Sequence, residues 1–272
     1  MKEYTTEFLR NVALVSHSGA GKTMLTEAFL HSTGVITRLG KVEDGTTVSD
    51  YDEEEIRRKI SIYTSVVPIE YREVKINVLD APGYTDFVGE VISALSVADG
   101  AIVVVDSVAG LEVGTEIAWQ YADEFKLPRF VLINKLDRDN ANFAKSYASV
   151  EEFTHAAGQR LIKVQLPIGE KHDFKGVVDL ITMKAYLGDG KTASEIPAEL
   201  KDAAEEARLA LMEAAAEGED ALLEKYLESG SLSDEELVRG LRQVVQSGAY
   251  IPVFCAAGAH EIGIFPLLSA MV

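Results

Sequence analysis

Through the first half of the chain, short apolar runs alternate with stretches whose apolar residues recur every three or four positions. Val12-Ala13-Leu14-Val15 is one such run. The eight residues SHSGAGKT follow it, and Met24-Leu25-Thr26-Glu27-Ala28-Phe29-Leu30 then carries a helical spacing over residues 22–31. Residues 60–69 and 73–79 read as two paired strands turning at Glu70-Tyr71-Arg72. Residues 87–98 are helical, 101–105 form a buried strand by their continuous β-branched content, 112–126 are helical, and 129–133 form another buried strand. A last buried strand, 251–254, leads to a helix starting near Gly263. Strands alternating with helices over this length predict an α/β fold with a mostly parallel sheet flanked by helices.

Between the strands at 129–133 and 251–254 lies far more chain than one crossover needs. A helix around 141–157 is followed by short strand candidates at 164–168, 177–180 and 184–187. An Ala/Glu-rich helix over 197–228 comes next, then a helix over 234–247 introduced by the capping signal Ser233-Asp234-Glu235-Glu236. This pattern predicts an inserted α+β subdomain, residues 159–248, within a parallel-sheet domain made of residues 1–158 and 249–272. Taken alone, the Ala/Glu stretch reads as a solvated helical face, and no internal repeat is present.

Composition narrows the function classes. The chain has 272 residues, 47% of them hydrophobic, which suffices for one large core or two modest ones. No apolar run approaches the roughly 18 residues needed to cross a bilayer, and the start MKEYTTEFLR mixes acids with bases. A soluble, cytoplasmic, monomeric protein is expected. The single cysteine, Cys255, excludes an intramolecular disulfide and a multi-Cys metal site and reads as a packed thiol; the five histidines lack metal-ligand spacing. A formal charge of −18 argues against a broad grip on nucleic acid, so DNA is not an expected partner and any RNA contact must be local. The one basic cluster is Arg57-Arg58-Lys59, which by itself reads as the solvated face of a short helix.

Three stretches carry chemistry. In SHSGAGKT (Ser16, His17, Ser18, Gly19, Ala20, Gly21, Lys22, Thr23), glycines between a strand and a helix let main-chain N–H groups converge on a phosphate at the positive helix end, with Met24 just beyond as a further nucleotide-binding candidate. Lys22 would reach the β- and γ-phosphates, and the Thr23 hydroxyl would reach Mg²⁺. A Gly-Lys-Thr tripeptide alone carries little weight. Asp80-Ala81-Pro82-Gly83, at the end of the strand 73–79, is where a P-loop enzyme holds its metal through a water, with the Gly83 N–H sensing a γ-phosphate. Asn134-Lys135-Leu136-Asp137 ends another buried strand, and Asp137 could accept from guanine N1–H and its exocyclic amine, donors adenine does not present together. All three lie at carboxyl ends of predicted parallel strands, the rim where such sheets bind ligands, so a P-loop NTPase fold is expected. His17 reads as a loop or core histidine, and Trp119 and Tyr121 as core and surface positions of a helix.

With these motifs the chain resembles the translational GTPases, elongation factor G most closely, over essentially its whole length. SDYDEEEIRRKISI (residues 49–62) is similar to that family's first switch segment, and IPVFCAAGAHEIGIFPLL (residues 251–268) to its last strand and guanine-contacting loop. GVVDLITMKAYL and LLEKYLESGSLSDEELVRGLRQ resemble the subdomain that distinguishes elongation factor G. The resemblance implies Mg²⁺-dependent hydrolysis of GTP to GDP, stimulated by the ribosome. Thr23 and Ser61 would ligand Mg²⁺ and Asp80 would support it; Asn134, Lys135 and Asp137, with Ala257, Gly258 and Ala259, would hold the base. Lys22, Gly83 and Tyr84 would serve catalysis. The implied partners are the ribosome, ribosomal RNA through a mobile Arg57-Arg58-Lys59, and a ribosomal stalk protein through the acidic insert.

Departures accompany the matches. Ser61 stands for the family's switch threonine, Tyr84 for the histidine that positions the attacking water, Ser18 and Gly19 for an apolar gate residue and an aspartate, and Ala256-Ala257-Gly258 for Gly-Ser-Ala. Alternatives are a guanine-nucleotide switch with little hydrolysis, a ribosome-protection or release-factor-type GTPase, and an ATP-using P-loop protein. The resembling proteins continue past the point where Met271-Val272 ends this chain, so a part of a longer protein without translocation activity of its own is expected.

Overall fold

The computed structural model describes residues 2–272. Strand β1 (Leu9–Val15) leads through the glycine-rich loop into α1 (Lys22–Ser32). A long connection carries one short helix, α2 (Glu53–Arg58), before β2 (Ser65–Tyr71) and β3 (Val74–Asp80). Then follow α3 (Val88–Val97), β4 (Gly100–Asp106), α4 (Val113–Glu124), β5 (Arg129–Asn134) and α5 (Phe143–Ala156). The next segment contains β6 (Arg160–Lys163), β7 (Gln165–Ile168), β8 (Gly176–Asp179), β9 (Lys184–Leu187) and β10 (Ala193–Ser194). Helices α6 (Lys201–Ala216), α7 (Asp220–Ser229) and α8 (Asp234–Gln246) precede β11 (Tyr250–Cys255) and α9 (Ile264–Met271).

The main sheet has seven strands in the order β2-β3-β1-β4-β5-β11-β6. Every neighbouring pair is parallel except β2 with β3. Residues of β4, β5 and β11 are buried almost without interruption because helices cover both faces, whereas the edge strand β2 alternates buried and exposed and tolerates Pro68. Alternate strand residues enter two cores. Leu14, Ile102, Val104 and Leu132 pack with Leu25 and Phe29 of α1 and Leu267 of α9. Val15, Val103, Val105 and Ile133 pack with Leu95 of α3, Trp119 of α4 and Val150 of α5. The mostly parallel sheet flanked by helices matches the P-loop NTPase fold expected from the motifs.

The second sheet is antiparallel, β10-β9-β8-β7, and α6 to α8 complete the insert. Its apolar residues Val178, Leu180, Leu211 and Leu237 belong to the same cluster as Leu14 and Leu25, so the insert shares a core with the main sheet. Helix α8 starts at the expected capping box: Ser233 accepts from the Glu236 amide at 3.3 Å, and Glu236 accepts from the Ser233 amide at 2.9 Å.

Four local expectations change. The strand expected at 60–69 begins only at Ser65, because the amides of Ile62 and Tyr63 donate to the Glu55 carboxylate and that of Thr64 to Glu90. The helix expected over 197–228 breaks at Glu217-Gly218-Glu219, where a Cβ on Gly218 would lie 2.5 Å from the Gly240 carbonyl oxygen of the neighbouring α8. Arg160–Lys163, not expected as a strand, pairs in parallel with β11 at the edge of the main sheet. In the insert, Ala193–Ser194 adds a short strand, likewise not expected. Trp119 is fully buried, edge-on to Phe153, and Tyr121 is half-buried.

Candidate functional site

Because β1, β3, β4, β5 and β11 run in parallel, their carboxyl ends deliver the three motifs to one rim of the sheet. Gly19 and Gly21 have φ of +86° and +96°, the left-handed region that glycine enters without a Cβ clash. A Cβ at Gly21 would also sit 2.7 Å from the Asn134 amide nitrogen. The Ser16 hydroxyl anchors the loop by donating to the Val104 carbonyl oxygen. Lys22 opens α1, is buried, and donates to the His17 carbonyl oxygen at 3.0 Å and the Ser16 carbonyl oxygen at 3.3 Å. Burial pulls its ammonium down to about 8, partly offset by Asp80 and Asp50. Gly83 packs so closely that a Cβ would lie 2.6 Å from both the His17 carbonyl oxygen and Lys22 Nζ. The Lys22 ammonium thus lies between the glycine-containing turn and Gly83, a position suited to meeting an anion.

Beside them lies a group of hard oxygens. Thr23 Oγ1 and Ser61 Oγ are 3.1 Å apart, and Ser49 donates to Asp80 Oδ2 at 2.8 Å. Asp80 Oδ1 is buried without a hydrogen-bond partner among the described residues. Burial raises the Asp80 carboxyl above its ordinary range, against the pull of the Ser49 hydroxyl and Lys22. Burial likewise pushes Asp50 up to about 6, with Ser61 opposing and Asp80 adding repulsion. Two crowded carboxylates, one with an orphaned oxygen, and two adjacent hydroxyls are the donor set a Mg²⁺ ion accepts, and they offer no soft ligand. No group of three or more acidic, His or Cys ligands occurs among the described residues, so the hydroxyls are needed. The sequence reading included Thr23, Ser61 and Asp80 as metal-site residues; it missed Ser49 and Asp50, although both lie within the segment that resembles a switch.

The third motif ties the rim together. Asn134 Nδ2 donates to the Ala20 carbonyl oxygen at 3.0 Å, and its Oδ1 accepts from the Gly258 amide at 3.0 Å. Lys135 donates to the Gly19 carbonyl oxygen and, at 2.7 Å, to Asp106. The Asp106 carboxyl is held below its ordinary range: burial acts to raise it, but Lys135 and the Val108 and Ala109 amides outweigh burial. Leu136 is a core residue, whereas Asp137 is half-buried with Arg138 at 3.8 Å and His260 at 3.4 Å. Ala257 and Gly258 are buried and Ala259 is exposed; Ala81 and Pro82 are buried and Met24 half-buried.

His17 is buried, as a core histidine should be. Its Nδ1 lies 2.9 Å from Thr115 Oγ1 and its Nε2 3.6 Å from Glu112, and burial lowers its basicity although Glu112 opposes. Tyr84 is 42% exposed at the mouth of the rim. The connection 33–64 is held by acids: Glu27 of α1, fully buried, accepts from the Gly40 and Val48 amides at 2.8 and 2.6 Å. A cavity of about 640 Å³ lies at the opposite end of the sheet around Arg10, Gly100, Pro128 and Arg242, away from the three nucleotide motifs.

Fold and rim together define a P-loop GTPase-type nucleotide-binding protein. Its family is equally plain: the Elongation factor Tu GTP binding domain family matches residues 7–272, and the chain belongs to that family of translational GTPase domains. A crystal structure of a Thermus thermophilus protein is similar over 96% of this chain, with 40% sequence identity and a TM-score of 0.88. The chain spans 39% of the length of that protein. No helix among the described residues is long and apolar enough to cross a membrane.

Proposed function

We propose that the chain is the Mg²⁺-dependent GTP-binding and GTP-hydrolysing unit of an elongation factor G-like translation factor, stimulated by the ribosome. One observation carries the reading: Lys22, Thr23, Asp80, Gly83, Asn134, Lys135 and Gly258 converge on one rim, where Asp80 presents a buried oxygen with no partner. Lys22 and the amides of Ser18 to Thr23 take the phosphates; Asn134 braces the loops, and Asp137 with the segment Ala257–Ala259 reads guanine. Thr23 and Ser61, with Asp80 and Asp50 behind them, would hold Mg²⁺, which when bound neutralises charge developing between the β- and γ-phosphates. In hydrolysis, the Lys22 ammonium and loop amides stabilise charge on the transferred group, Gly83 brings its amide to the γ-phosphate, and Tyr84 places or admits the water.

We assign residues 2–163 and 249–272 to the nucleotide domain and 164–248 to the insert, since β6 pairs in parallel with β11. Arg57, Arg58 and Lys59, exposed on and after α2, are the local contact to ribosomal RNA, and the acidic insert meets a stalk protein. The unit is monomeric and cytoplasmic. The exposure of Tyr84 favours a second reading, a switch with little hydrolysis. The test is calorimetry of GTP, GDP, ATP and xanthosine diphosphate with and without Mg²⁺, on the chain and on Asp137→Asn. Tight guanine binding that moves to xanthine nucleotide in the variant is expected; no guanine binding would refute the reading. Single-turnover hydrolysis with ribosomes then separates the two readings.

A further inference from the structure

The strand end bearing Asn134 and Lys135 is braced from β4. Asp106, the last residue of β4, lies opposite Asn134 in the parallel ladder. Its Oδ1 accepts from the Val108 amide at 2.8 Å, while its Oδ2 accepts from Lys135 Nζ at 2.7 Å. The same ammonium donates to the Gly19 carbonyl oxygen. Ser107 holds the adjoining main chain, donating from its amide to the Asn134 carbonyl oxygen at 3.0 Å and from its hydroxyl to that of Lys135 at 2.8 Å. Lys135 has φ of +61°, which side-chain-bearing residues rarely adopt, so its geometry depends on such bonds. Nothing lies within 4 Å of a Cβ built on Gly19, so no side chain packs on that side of the loop, and Lys135 supplies the tie.

We propose that Asp106 is a positioning residue for guanine-nucleotide binding: it holds the Lys135 ammonium against the Gly19 carbonyl and so locks the base-reading loop to the phosphate loop. The inference rests on the nucleotide-binding reading above. An ammonium has three donors and turns to water when a carboxylate partner is withdrawn, whereas the loop carbonyl alone is a weaker anchor. Only 12% of the Asp106 side chain and 27% of that of Lys135 are solvent-accessible, so the pair is poorly screened. Asn134 fixes the Ala20 carbonyl and Lys135 the Gly19 carbonyl, which makes the two successive residues of the third motif two clamps on one turn.

The test is the dissociation rate of a fluorescent GDP from the 272-residue chain, from Asp106→Asn, from Lys135→Met and from the double variant. Asn keeps an amide oxygen for the Val108 N–H, so the turn after β4 stays intact and circular dichroism should match the wild type. Asp106→Asn is expected to release GDP about ten-fold faster, the loss of one charge-assisted hydrogen bond. In the Lys135→Met background the same change should add nothing, because its effect runs through the ammonium. An equal acceleration in both backgrounds, or none in either, would overturn the proposal. Failure of the wild-type chain to bind GDP would refute the functional reading itself, a result distinct from either.

Discussion

Replacing Asp50 with asparagine should stabilise the protein when metal and nucleotide are absent. Asp50 is buried beside Asp80, whose carboxylate is also buried, and burial pushes its own titration up to about 6. Ionising it in the fold at pH 7 therefore costs more than in the unfolded chain, by about 1.4 kcal/mol per pH unit separating the two titrations. The raw figure is about 3 kcal/mol, and residual screening by water brings it to about 2 kcal/mol. The sign follows from a folded value raised above the unfolded one: the contribution is fully present below the ordinary carboxylate range and is lost as pH rises through 6. An asparagine side chain does not ionise, so Asp50→Asn escapes that loss.

Urea unfolding in chelator, without nucleotide, should show Asp50→Asn about 2 kcal/mol more stable at pH 7. The gap should fall to about half by pH 5 and close toward the ordinary carboxylate value. At pH 7 the Lys22 ammonium, near 8, is mostly charged in the wild type, and Asp50→Asn removes one of the charges that hold it up. Saturating Mg²⁺ and GDP should reverse the order, since a cation makes favourable use of the carboxylate that is otherwise uncompensated. A variant less stable than wild type at pH 7 in chelator, or a gap that does not change with pH, would refute the reasoning.

Glu27→Ala removes the acceptor of two amides in a fully buried position and should cost about 3–5 kcal/mol by urea unfolding, with faster tryptic cleavage at Arg38 and Lys41. An unchanged cleavage rate would show that this connection is held elsewhere. Gly240→Ala would place a methyl 2.2 Å from the Ala215 carbonyl oxygen, forcing α6 and α8 apart; about 2–3 kcal/mol of stability should be lost, read as a lower melting temperature. Normal stability there would mean that the helices slide past each other at little cost.

Much of the main sheet was legible because a parallel strand covered on both faces must be apolar throughout, and Ala101-Ile102-Val103-Val104-Val105 leaves few other readings. The motifs at the strand ends were legible because their glycines meet backbone demands that a sequence displays directly. Arg160–Lys163 was not, since an edge strand of four residues with charges at both ends has two apolar residues, against five in β4. Nor was the break at Gly218, which is set by α8 pressing on it from more than twenty positions away. Two members of the oxygen group around Asp80 escaped for the same reason: Ser49 and Asp50 reach it only after the 33–64 connection has folded back over α1.

That connection also shows what an acidic composition conceals. A charge of −18 suggests a solvated negative surface, yet Glu27 and Glu55 are buried, and Glu90 is partly so; all three spend their carboxylates on main-chain amides. Among the described residues, no apolar side chain between Leu30 and Val67 is buried, so this stretch adds almost nothing to either core. Its order depends on directional bonds to a few acids, on the Ser65 hydroxyl bonded to the Ser49 carbonyl, and on Asp80. Hydrogen bonds of this kind each contribute modestly and can be exchanged for others, whereas a packed apolar face must expose its area to move. The same segment supplies Ser49, Asp50 and Ser61 to the oxygen group. Whatever cation satisfies the orphaned Asp80 oxygen therefore acts on the part of the chain whose anchorage is cheapest to rearrange, and local binding becomes a change of surface without disturbing the sheet.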